Sequence, residues 1–192
     1  MFGWLTHAFA TVRASTNSTA WTISRCAVPM SGARLAAQLP LLGCVLYLPA
    51  RVSAPNHACV SPGWLVARRE LAPLLHVAEL RVSSMIGASG PREWIDGIDA
   101  SGHFCVRLHL LPDTDYLAWD ALLEHARPLP AAPLCPGALS CSAGSANMVC
   151  FSTRRFAGFD VLDAAPLRQV SMLGHDIARE AARSASLVSA LD

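Results

Sequence analysis

The chain has 192 residues, 53% of them hydrophobic and 15% charged, which supplies one domain with a sizeable core and argues against a largely disordered protein. All 15 basic residues are Arg, and without Lys there is no Schiff base to pyridoxal phosphate, no Walker-type phosphate loop and no protein-kinase site. A net charge of +1 offers no basic field to hold nucleic acid.

Residues 1–28 read as an N-terminal arm, disordered or loosely docked, ahead of a single α+β domain over residues 29–192. The start lacks the charged and continuous apolar regions of a secretory signal, and the Asn17-Ser18-Thr19 glycosylation pattern means little without a secretory context. Ser31 caps a short helix through Gln38, ended by Pro40. Leu41–Leu48 is a buried strand in which Val45 and Tyr47 favour β structure. It belongs to the longest apolar run, Leu39–Ala50, which is short of the roughly 20 residues a membrane span needs. Residues 49–57 form a loop. Ser61-Pro62 opens a helix running to about His76, which Pro73 kinks or divides.

Glu79–Ile86 alternates as a strand, Gly87–Pro91 turns the chain, and Glu93–Ile98 is a second strand. Asp99-Ala100-Ser101-Gly102 is a tight turn. His103–Leu111 is the best strand of the sequence, with Phe104, Val106, Leu108 and Leu110 on one side and His103, Cys105, Arg107 and His109 on the other. The three strands predict an antiparallel meander, its apolar face covered by helices. Asp113 or Thr114 caps a helix from about Asp115 to Arg127 that buries Leu117, Trp119, Ala121, Leu122 and Leu123. Residues 128–147, with four prolines, form a long loop. Met148–Phe151 and Phe156–Leu162 are two short strands around Arg154-Arg155, and Pro166–Leu191 is a long helix with apolar residues at helical spacing. No repeat of about 20 to 50 residues is present, which excludes solenoids and propellers.

The polar side of His103–His109 is the first candidate site. His103 and His109 stand about 20 Å apart at 3.3 Å per residue and cannot share a metal. Arg107 and His109, about 7 Å apart, can serve one ligand, the Arg pairing a carboxylate and the His meeting its centre. A solvated strand face is the plain alternative. Cys135-Pro136-Gly137 resembles the haem-regulatory motif, in which a thiolate meets haem iron, and is otherwise an ordinary loop cysteine. Arg154-Arg155 beside Phe151, Phe156 and Phe159 suits a flat anionic ligand such as haem, or a plain hairpin turn. The seven cysteines, with no C-x-x-C spacing, read as reduced and mostly buried; Cys141 and Cys150 pair across a hairpin in the alternative of an oxidising compartment. Signatures of nucleophilic-elbow hydrolases, dinucleotide-binding folds and zinc sites are missing.

Glu93–His125 (EWIDGIDASGHFCVRLHLLPDTDYLAWDALLEH) resembles a recurring unit of the haem-utilisation proteins of the HemS/ChuX type, labelled hemin transport or hemin degrading proteins. The unit is a strand, a D-x-x-G turn, a strand, a short break with an acid, and a helix. The resemblance implies a large antiparallel sheet flanked by helices that binds haem after import, here as one half-unit of the tandem members. It carries no axial ligand across by motif. The expected function is a cytoplasmic haem-binding protein of bacterial haem uptake or utilisation, a carrier or store rather than a catalyst. His109 is the expected iron ligand and Arg107 meets a propionate, with His103, Cys135, Arg154 and Arg155 as the other candidates. A non-enzymatic interaction domain forming a homodimer is the alternative, and a thiol-dependent enzyme a third.

Overall fold

Nine strands pair into one mixed sheet in a computed structural model that describes residues 21–51, 62–87, 90–130, 143–167 and 169–185. They are β1 (Trp21–Pro29), β2 (Cys44–Pro49), β3 (Trp64–Val66), β4 (Val77–Gly87), β5 (Gly90–Asp99), β6 (Phe104–His109), β7 (Arg127–Pro128), β8 (Asn147–Phe156) and β9 (Phe159–Pro166). The order across the sheet is β3-β9-β8-β2-β6-β5-β4-β1-β7, antiparallel throughout except for β3 beside β9. Among the described residues, three α-helices, α1 (Gly32–Gln38), α2 (Tyr116–Leu122) and α3 (Met172–Ser184), and two 3₁₀ segments, Leu39–Leu42 and Arg69–His76, complete an α+β fold.

Each helix begins on a side-chain cap that satisfies backbone N–H groups left over at a helix start. Ser31 accepts from the Arg34 amide, Asp115 from those of Leu117 and Ala118, and Ser171 from that of Gly174. The meander β4–β5–β6 follows the predicted alternation. Its second turn closes as Asp99 Oδ1 accepts from the Ser101 and His103 amides, both at 2.8 Å, with Gly102 at φ 85°.

The helices lie on both faces of the sheet, not on one. On the first face α1, α2 and the 3₁₀ segments bury Leu35, Leu39, Leu74, Trp119 and Leu122 against Val28, Tyr47, Leu80, Ile95 and Leu108. On the second face α3 packs Ile177, Ala178 and Ala182 against Leu46 and Leu48 of β2 and Met148 of β8. The strand pattern of 103–109 hides this second layer, because its cover comes from a helix more than sixty residues later whose contact residues are mostly alanines.

Other expectations are corrected. Residues 21–29, expected in the arm, form β1 between β4 and β7, with Cys26 and Val28 in the core. The helix expected from Ser61 to His76 is replaced by β3, drawn into a parallel ladder with β9, and by the 3₁₀ segment; Pro73 in that segment lacks the N–H an α-helix would use. There the Tyr47 hydroxyl donates to the Glu70 carbonyl at 2.5 Å. Helix α2 stops at Leu122, leaving Leu117 82% exposed and Ala121 also outside. Arg154-Arg155 sits within β8, and the β8–β9 turn is Ala157-Gly158. Helix α3 starts only at Met172, since Pro166 ends β9. Most of the 49–57 loop, the greater part of the proline-rich segment and the end of the last predicted helix fall outside the described residues.

Candidate functional site

Strand register assembles the site. Ser83 on β4, Trp94 on β5, His109 on β6 and Leu46 on β2 are successive partners in one row across the sheet, and Arg81, Asp96, Arg107 and Leu48 form the next. Both rows lie on the face that α3 covers. Arg107 and His109, expected to share one ligand, are therefore brought side by side, but in a buried layer: Arg107 is 4% and His109 9% exposed.

Asp96 grips Arg107 with two hydrogen bonds, from Nε to Oδ1 at 2.6 Å and from Nη2 to Oδ2 at 2.9 Å. This bidentate geometry is the strong form of the pair. The guanidinium lies 5.3 Å from the centre of the Trp94 ring, and the Trp94 ring 6.0 Å from the His109 imidazole. Arg92, on the same side of β5 as Trp94 and Asp96, reaches α3, where its Nη2 donates to Glu180 at 3.0 Å. Arg92, Trp94, Arg107 and His109 from the sheet, with Ile177 and Glu180 from α3, line a cleft of about 50 Å³.

Burial, then the positive charges of Arg107 and Arg92, push the His109 imidazole down to about 3. It is neutral at pH 7, and neither ring nitrogen has a hydrogen bond among the described residues. Two neighbouring side chains of the cleft carry buried donors without an acceptor among the described residues: Trp94 Nε1 and Arg92 Nε. Indole and guanidinium nitrogens donate only. A buried polar group without a partner costs about 1–3 kcal/mol. The cleft thus gathers unpartnered donors beside two guanidiniums that are already paired, Arg107 with Asp96 and Arg92 with Glu180, and it asks for an acceptor.

The remaining candidates lie elsewhere. His103 is outside, its side chain 73% exposed and its Nδ1 3.4 Å from Asp99. Cys105 is separated from Arg107 by an irregularity in the β5–β6 pairing at Gly97/Ile98, which breaks the alternation and turns the thiol into the first core. A side chain at position 97 would stand 2.7 Å from Val106 and Val77, so Gly is required at this bend. Arg154 is six residues along β8 from Met148, the residue level with His109 across β2, which separates them by roughly 20 Å. Arg154 and Arg155 cannot join His109 on one ligand in this fold. Cys135 and Cys141 fall outside the described residues.

The thiol reading finds little support at three cysteines. Burial pushes Cys26 and Cys105 up to about 11 and Cys44 up to about 12, so each is a thiol rather than the nucleophilic thiolate at neutral pH. Among the described residues no three His, Cys, Asp or Glu side chains cluster as a metal site, and no helix is long and apolar enough to cross a membrane.

Arg92, Trp94, Asp96 and Glu180 were not singled out by the sequence. The signal for the first three was their period of two on a strand that follows a hairpin; only the register with β6 shows that they share a face with Arg107 and His109. Comparison with protein-family models and with curated proteins returned no match for the chain.

Proposed function

We propose that the protein is a binding protein rather than a catalyst, and that the cleft beneath α3 takes an oxyanion of the carboxylate class. The observation that carries this reading is the convergence of two buried donors without a partner among the described residues, Arg92 Nε and Trp94 Nε1, on one small cleft that the His109 imidazole also lines. An acceptor oxygen recovers what the burial of these donors costs, and a carboxylate offers two such oxygens to donors that Glu180 and Asp96 leave unserved. Catalysis is the weaker reading. An imidazole held near 3 is a poor general base at neutral pH, and among the described residues no cysteine lines the cleft.

Haem is the second reading, favoured by one observation: His109 is neutral and its nitrogens are unclaimed, which is what an iron ligand requires. The cleft does not fit the whole group. About 50 Å³ suits a few waters or a carboxylate, whereas drug-sized ligands occupy about 300–1,000 Å³. A propionate fits this space and the macrocycle does not, so a haem carrier or store built on His109 would need α3 displaced.

Titration distinguishes the readings. The protein is titrated with acetate, propionate and inorganic phosphate by tryptophan fluorescence and thermal unfolding, and with haemin by absorbance. The oxyanion reading expects saturable binding of a carboxylate that His109→Ala and Arg92→Ala weaken. A Soret shift lost in His109→Ala supports haem. If no probe binds saturably, both readings fail.

A further inference from the structure

The β8–β9 hairpin projects beyond the rest of the sheet: residues 152–159 are all exposed, on both faces. At its tip Phe156 and Phe159 are direct cross-strand partners, 64% and 43% exposed, joined by the two-residue turn Ala157-Gly158 with both residues at positive φ. This mirror-image turn matches the twist of a two-stranded ribbon and makes a narrow, well-formed end. Arg154 and Arg155 follow directly behind Phe156, and neither forms an ion pair among the described residues, although Asp160 is the register partner of Arg155. Leu65 of the edge strand β3, 41% exposed, pairs in register with Val161, the partner of Arg154, and extends the apolar stripe of Phe156 and Phe159.

From this arrangement we propose that the hairpin tip docks on an anionic lipid surface. The order of residues along the hairpin matches the order of depths at a bilayer boundary. Two aromatic rings come first, where apolar and amphipathic groups enter the acyl boundary. Two arginines come about 3–7 Å behind them, at the level of the phosphates. Arginine pairs phosphate through a planar fork and keeps its charge under all conditions. A nucleic acid is the poorer match, because two arginines on a chain of net charge +1 make no extended basic track for a phosphate backbone. The hairpin stands clear of the oxyanion cleft, so this inference is independent of that reading.

The test is co-sedimentation of the full chain with vesicles of phosphatidylcholine alone and of phosphatidylcholine with phosphatidylglycerol. Binding is expected to the anionic vesicles and to be weak on the neutral ones. Each arginine near such a surface is worth about fivefold in partitioning, so Arg154→Ser with Arg155→Ser should lower binding by roughly 25-fold. Phe156→Ser with Phe159→Ser should also reduce it at least tenfold by about the same reasoning of lost apolar burial. All four side chains are exposed, and far-ultraviolet circular dichroism checks that the variants keep the fold. Failure of the wild type to sediment with anionic vesicles overturns the proposal, as does undiminished binding by the Phe double variant. Light scattering that shows a dimer dissolved by the Phe changes, with no vesicle binding, assigns the tip to a contact between copies instead.

Discussion

His109 should make the stability of this protein depend on pH in a predictable direction. The folded state holds its imidazole at about 3, against about 6.5 in the unfolded chain. Between those values the unfolded state takes up a proton that the folded state refuses. The stabilising contribution is therefore complete above about pH 6.5 and is lost as pH falls toward 3, with a limiting slope of about 1.4 kcal/mol per pH unit. From about pH 7.5 to about pH 5 the loss is about 2 kcal/mol. At a urea slope of about 2 kcal/mol/M that is a shift of roughly 1 M in the unfolding midpoint. The assay is urea unfolding of the wild type and of His109→Gln at both pH values. The wild type should lose about 2 kcal/mol more than the variant over this interval. Equal pH dependence in the two proteins would refute the burial argument for His109, and with it the electrostatics of the cleft.

Three other perturbations test the fold around the site. Glu93 accepts from Trp119 Nε1 at 2.5 Å and from Ser84 Oγ at 2.9 Å, and burial raises its carboxyl above the ordinary value. The ionised form thus costs stability as pH rises beyond about 4.5. Glu93→Gln should hold or raise the unfolding midpoint at pH 7, while Glu93→Ala should lower stability by about 1–3 kcal/mol by stranding the buried indole N–H. Gly32→Ala should destabilise by at least about 1–3 kcal/mol in a thermal melt, because the added carbon would stand against the Leu75 carbonyl, backbone that cannot step aside cheaply. Ala157→Asn should stabilise by up to about 1 kcal/mol in the same assay, since Ala157 holds φ 51° in a turn that suits Asn-Gly.

The meander, the caps at Ser31 and near Asp115, and the shared side of Arg107 and His109 were legible because each follows from neighbours in sequence: a period of two, or a polar side chain before an apolar run. What was not legible depended on partners far along the chain. Trp21–Pro29 carries Ser, Thr and Arg and became a strand through its pairing with β4 and β7. Trp64–Val66 is three residues long and is extended because β9 lies beside it. The face of Arg107 and His109 looked solvated because its cover, α3, meets the sheet through small side chains such as Ala178 and Ala182. Arg92 and Trp94 joined the site through register alone.

The oxyanion cleft is tested most directly at the Trp94 indole, whose Nε1–H is buried without an acceptor among the described residues. In a proton–nitrogen correlation spectrum, with the resonance assigned by its loss in Trp94→Phe, propionate is added stepwise at constant pH and ionic strength. A saturable downfield shift of this one indole N–H is expected as a hydrogen bond forms, abolished by His109→Ala. A shift that stays within that of the other indoles, or that grows linearly without saturation, would contradict it.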